Sequence, residues 1–438
     1  VTLNEVRGGA TAMVDDATVT ASGGVILVQA LADGTMTAQT DVTAETSASG
    51  GSLLGGSTTL TINGIASTNV VLGGAEAKVT DSSLITTGTD ALEGGVTVDA
   101  QNTATLTAGT INAVDGGSKG VGVTLAFNSI GWESQNLLFN TVDALIGSPE
   151  ISDAFGAGGQ GNANAELLDT TVDASGALAV TATAGATLTA TVDNRTETSA
   201  SSDLRVASGM SFGAVLSQNK VSSSASATIS FTTADPTPAD TPLIDADDGV
   251  TVQAQDTAVL TADIELSSVN TAESNSLRSA DSAGFSVSVS LNDVRGGAEA
   301  TIDNATVNSS DGAILVESIA DATLTAENNV AAESGASGGT LLGGTSSTTV
   351  NVIVATNVLT GGALALVRDS SLTADLAVTV NADNTAELTS GVLNSTISGG
   401  VGVGVTLAFN SIGWEPQNLL FNAVDALIGD PAISDAFG

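Results

Sequence analysis

The chain contains no cysteine, no histidine and no tyrosine. That excludes a disulfide framework, a Cys/His zinc centre, a thiolate nucleophile and imidazole acid–base chemistry. Basic residues are scarce as well: 9 Lys and Arg stand against 48 Asp and Glu in 438 residues, a formal charge of -39. Nothing here could neutralise a run of phosphates, so nucleic acid is not an expected partner. Aromatic residues make up 3% of the chain, and no stretch approaches the roughly eighteen apolar residues that a membrane-spanning helix needs. What is present is 42% hydrophobic residue and 50 glycines, with charged residues held to 13%. Such a chain has enough apolar surface to fold despite its net charge.

The sequence repeats at two scales. Val1-Thr2-Leu3-Asn4 with Val6-Arg7-Gly8-Gly9-Ala10 returns as Val289-Ser290-Leu291-Asn292 with Val294-Arg295-Gly296-Gly297-Ala298, an offset of 288 residues. Residues 121–156 return almost unchanged at 403–438, an offset of 282. Residues 1–156 and 289–438 are therefore homologous copies, and 157–288 completes the 288-residue repeat. The pattern is already running at residue 1, so residues 1–438 are expected to be one continuous window of a longer repeat protein.

Inside the long repeat, Asn-x-(Ile/Val) closes a short alternating strand at Asn4, Asn63, Asn128, Asn219, Asn292, Asn351 and Asn410. The interval of 59 residues recurs between them. Between these asparagines run stretches such as 95–108 and 249–262, in which apolar and small polar residues alternate with period 2 among Gly, Asn and Asp. That is the pattern of strands and turns. The 59-residue unit divides into about three coils of roughly 20 residues, giving about 18 coils and a body about 85 Å long at the usual strand spacing. Each coil exposes a narrow apolar face that only stacking can bury, which predicts an all-β, elongated parallel β-solenoid. The seven asparagines are expected either to form an inward-facing ladder from coil to coil or to make plain Asx turns at the strand ends.

The grammar of Asp81 to Leu84 with Val96 to Ala108, and of Asp369 to Leu372 with Ala377 to Leu388, joined to the Gly-rich strand at 120–130, resembles giant bacterial cell-surface and exported β-strand-repeat proteins. These are similar to haemagglutinin and autotransporter passengers. The resemblance implies a right-handed parallel β-helix located outside the cell or on a bacterial surface.

One segment breaks the alternation. Leu138, Val142, Leu145 and Ile146 share a helical face, as do Leu420, Val424, Leu427 and Ile428. Residues 132–156 and 414–438 are thus expected to be short helical insertions, and they carry both tryptophans, Trp132 and Trp414. Their apolar ridge is expected to brace the solenoid flank or to contact a neighbouring rod.

The acidic excess admits three explanations: solubility, a saline setting, or weak Ca²⁺ binding at turns. The candidate ligands are Asp15, Asp16, Asp245, Asp247, Asp248 and Asp303, none in EF-hand spacing. No other cofactor is expected. A polysaccharide-active enzyme is a minor alternative, because β-helices host such enzymes while the nine basic residues are scattered here. The leading expectation is a structural repeat region of a secreted or surface-attached giant protein, forming a rod, filament or sheath by self-association. The alternative is an adhesin module recognising a glycan, cell or mineral surface. Thr-x-Thr pairs at Thr35/Thr37, Thr105/Thr107, Thr187/Thr189 and Thr323/Thr325 would form an outward array, interrupted at Val259 and Glu387, with the intervening Met or Leu inward.

Overall fold

The computed structural model describes residues 1–46, 59–88, 94–131, 161–202, 207–232, 243–274, 280–338 and 344–413. The described chain is built from parallel strands alone. Coil 1 comprises β1 (Thr2–Arg7), β2 (Ala10–Asp15), β3 (Thr18–Ala21) and β4 (Ile26–Thr46). Coil 2 repeats the order with β5 (Leu60–Leu72), β6 (Ala75–Thr80), β7 (Ser83–Thr86) and β8 (Val96–Gly116). Coil 3 has β9 (Lys119–Ile130), β10 (Ala163–Leu168), β11 (Thr171–Ala174) and β12 (Leu178–Ser202). In coils 4 and 5 the first two strands fuse: β13 (Ala207–Ser230), β14 (Ile244–Ala246), β15 (Val250–Ser274), then β16 (Ala280–Asp303), β17 (Thr306–Ser309), β18 (Ile314–Gly338). Coil 6 has β19 (Ser346–Thr360), β20 (Ala363–Arg368), β21 (Ser371–Ala374) and β22 (Val378–Ser398), and β23 (Val401–Ile412) opens coil 7.

Three parallel sheets result: an outgoing sheet of 11 strands, a corner sheet of 6 and a return sheet of 6. This is the expected all-β parallel solenoid, with a different coil. The 59-residue unit is one coil, not three, so the described residues hold six coils and the start of a seventh in place of about 18. Stacked at about 4.8 Å, seven strands rise about 29 Å, not 85 Å. The return strands instead run up to 25 residues, a contour of about 80 Å at about 3.3 Å per residue. The reason is that glycine and asparagine inside the alternating stretches do not turn the chain. They sit within unbroken strands, some inward, as Asn102 does, and some outward, as Gly185 does.

Registry is strict. Leu106, Leu188, Leu260 and Leu324 stack directly over one another on the return sheet, each fully buried. Near the corner sheet, three walls enclose an apolar core that includes Leu84, Leu167, Ile229 and Ile302. Further along, only the outgoing and return sheets face each other, and the interior turns polar: Asn194, Ser211, Ser268 and Asn270 are fully buried. Ser211 Oγ lies 2.9 Å from Ser268 Oγ, and Asn270 Nδ2 donates to Gly209 O and Ala283 O at 2.8 and 2.7 Å. Glycine lets the sheets close here, since a Cβ on Gly213 would lie 2.9 Å from Leu266 Cδ1.

The corner between outgoing and corner sheets is turned by one left-handed residue in coils 1, 2, 3, 5 and 6: Asp16, Asp81, Asp169, Asn304 and Asp369, with φ from 46 to 54°. Aspartate and asparagine tolerate this conformation through local hydrogen bonding. The next residue is Ser82, Thr170 or Ser370 at three of these corners and links coils there, as where Ser82 Oγ accepts from Ala17 N at 3.1 Å and donates to Thr80 O at 2.6 Å.

Candidate functional site

The asparagine ladder exists. Asn4, Asn69, Asn128, Asn219, Asn292, Asn357 and Asn410 stand in register between the two large sheets, and each Nδ2 donates to the next Oδ1 at 2.9 Å. The second amide hydrogen goes to a return-sheet carbonyl, as from Asn219 to Thr261 O at 2.7 Å. Two expected members need correction. Asn63 and Asn351 lie six residues earlier on the same strands and bond instead to Asn112 Oδ1 and Asn394 Oδ1, at 2.7 and 3.0 Å. Asn69 and Asn357 take their places. The distinguishing signal is the Gly-Gly pair four and five residues on, which follows Asn4, Asn69, Asn292 and Asn357 but neither Asn63 nor Asn351. The ladder is structural: its amides are consumed by one another and by backbone.

Where the Gly-Gly kinks stack, a second polar column faces them from the return sheet. In register it reads Ala32, Asn102, Ala184, Asp256, Ala320, Asn384. Polar residues occur in alternate coils, and the buried pair ties a kink of its own coil to that of the next. Asn102 Nδ2 donates to Gly73 O at 3.3 Å and Gly161 O at 2.7 Å. Asp256 Oδ1 accepts from Ser223 Oγ at 3.2 Å, and its carboxylate also accepts from the Gly297 backbone N–H. Asp256 is 6% exposed, and burial pushes its carboxyl up to about 7 against the lowering effect of these two donors. It lines a cavity of about 20 Å³ with Asp321, Gly296 and Asn384. That space suits one water molecule, not a substrate. Sequence reading missed this column because the alternation is visible only once the coils are aligned.

The candidate calcium ligands fall on separate corners. Asp15 ends β2 on the exposed face, and Asp16 is the left-handed corner residue of coil 1. Asp245 accepts from Asn308 Nδ2 at 2.8 Å, and Asp247 from Ser310 Oγ at 2.7 Å, while Asp248 is exposed beside them. Asp303 is paired with Arg368, whose guanidinium holds the carboxyl below its usual range. Among the described residues no three acidic side chains converge as a metal site. The expected helical insertions at 132–156 and 414–438, and with them the expected ridge of Trp132, Leu138, Val142, Leu145, Ile146, Trp414, Leu420, Val424, Leu427 and Ile428, lie outside the described residues.

Two outer faces differ sharply. On the return sheet, Thr37, Thr107, Thr189, Thr261, Thr325 and Thr389 form an unbroken column, beside one that reads Thr35, Thr105, Thr187, Val259, Thr323, Glu387. The intervening Leu106, Leu188, Leu260 and Leu324 point inward as expected. On the outgoing sheet the outward column Ile62, Val121, Phe212, Phe285, Val350, Val403 is entirely apolar.

No protein-family model matches the chain, and no curated protein or solved structure is significantly similar to it. The geometry defines a class, a parallel β-solenoid with an asparagine ladder, and function is argued from its surfaces.

Proposed function

We propose that the chain is a structural repeat region of a secreted or cell-surface protein, a stiff solenoid body that self-associates into a filament or sheath. In this reading its work is mechanical and it carries out no reaction. The observation that supports it is the coincidence of two periodicities. The 288-residue repeat corresponds to four coils, since Asn4 and Asn292 are ladder positions of coils 1 and 5. Equivalent side chains therefore return at a fixed height on every face, which suits repeated contacts whose weak affinities add. The test is immunogold labelling of intact and permeabilised source cells. Label along extended structures on intact cells is expected, and label confined to permeabilised cells would overturn the reading.

Display toward a glycan or mineral surface is the second reading, supported by the threonine columns of the return sheet. In either setting we propose that the corner aspartates bind Ca²⁺ weakly and relieve charge repulsion. The melting temperature should then rise more in millimolar Ca²⁺ than in Na⁺ of matched ionic strength, by about 1 °C for a chain of 438 residues if binding supplies about 1 kcal/mol. Coincident melting curves would leave screening alone.

A further inference from the structure

We infer that the outer face of the outgoing sheet, at the end remote from the corner sheet, pairs with the same face of a second copy of this chain. The strands there are inverted in polarity. Their inward positions are small or polar, such as Gly122, Ser211, Gly213 and Ser286, the two serines buried to 0 and 1%. Their outward positions are apolar through six coils. Beside the Phe212 column runs Gly64, Val123, Ala214, Val287, Val352, Val405, again without a charge. In an ordinary half-buried strand the apolar residues face the core. Here a sheet that already has an interior on one side presents its larger apolar side chains to the other.

Further along the same strands this outer face is closed: Leu216, Val289 and Val354 are 4 to 6% exposed. The part next to it is open, with Phe285 and Met210 at 36 and 37%. The open part spans three outward columns, including that of Met210, over six coils. At about 6.6 Å per column and 4.8 Å per coil it covers about 550 Å². Two such faces would bury about 1,100 Å², just above the roughly 1,000 Å² that a specific interface requires. Charge selects the occupant. The molecule carries 48 carboxylates, and copies approaching through other faces repel one another. The two columns described contain no ionisable residue, and Lys119 is the one charge in the third. Pairing is isologous, sheet on sheet at about 10 Å, with Phe212 and Phe285 at its centre.

This inference deepens the filament reading by naming a contact, yet its test needs no cells and can fail independently. Sedimentation of the 438-residue chain at a salt concentration that screens its charge should give a dimer. Phe212→Glu with Phe285→Glu should make it monomeric, weakening association at least 100-fold, while the β circular dichroism and the melting temperature hold. A wild-type monomer throughout the concentration range would overturn the inference. So would a dimer unaffected by the double substitution, or capture by neutral vesicles in place of pairing. If the glutamates prevent folding, the cysteine-free background supplies a second route. Ala214→Cys, in the column beside Phe212, should oxidise rapidly to a covalent dimer, and Thr189→Cys on the return sheet should not. Equal rates for the two would also overturn the pairing.

Discussion

Asn219→Leu is expected to cost about 2–6 kcal/mol, because it strands two buried side-chain polar groups at once. Asn128 loses the acceptor of one amide hydrogen, Asn292 loses the donor to its Oδ1, and Thr261 O, inside a strand paired on both sides, loses only its additional side-chain donor. Leucine is close in volume, so packing is not the dominant loss. Asn63→Leu provides the comparison. Asn63 sits on an outgoing strand too, but its one side-chain bond is to Asn112, and the site is partly open. Its loss should cost about 1 kcal/mol. Urea midpoints at unchanged slope would measure both. Equal costs would mean that the ladder acts as separate bonds, not as a coupled column.

Asp256→Asn should stabilise the protein at pH 8 and flatten its pH dependence. The carboxyl titrates near 7 in the folded chain, raised by burial, and near 3.9 when unfolded. The folded state therefore binds its proton more tightly. Below pH 4 both states are protonated and the group carries no penalty. Between about pH 4 and 7 the unfolded chain has ionised this carboxyl while the folded chain still holds its proton, so stability falls by about 4 kcal/mol in total and levels off above 7, where both states are ionised. Asparagine already occupies the matching position at Asn102 and Asn384, so the site tolerates the amide. The difference between wild type and variant isolates this residue from the general repulsion of the other carboxylates. A difference that stays constant from pH 4 to 8 would show that Asp256 does not titrate in this window.

The sheet architecture was legible in period-2 alternation, because each apolar residue at an inward position has a small polar neighbour facing outward. The length of the coil was not. A glycine such as Gly185 reads locally as a turn, whereas here it is an outward position in a continuous 25-residue strand. Only pairing with Thr103 and Thr257 on either side decides that. The ladder was readable at five of seven positions. At the other two, Asn351 matches the local pattern where Asn357 does not, Asn63 and Asn69 match it equally, and the Gly-Gly spacing settled the matter only after alignment. The inverted face was harder still. Val121, Val123 and Leu125 alternate with Gly120, Gly122 and Thr124, and alternation alone does not say which set faces in. The corner aspartates were seen as either ligands or turn residues, and positive φ assigns Asp16 to the turn.

The unusual breadth of the coil has a consequence for reach. From Asn4 to Asn410 the ladder climbs six steps, about 29 Å, so each residue adds about 0.07 Å of axial length. An α-helix adds about 1.5 Å per residue, some twentyfold more. A tether assembled from such coils would be among the costliest ways to bridge a distance. What each added turn supplies instead is a strip of wall about 80 Å in contour on its return strand, with one face of threonine and another of exposed aliphatic and aromatic side chains. The chain is proportioned to cover area.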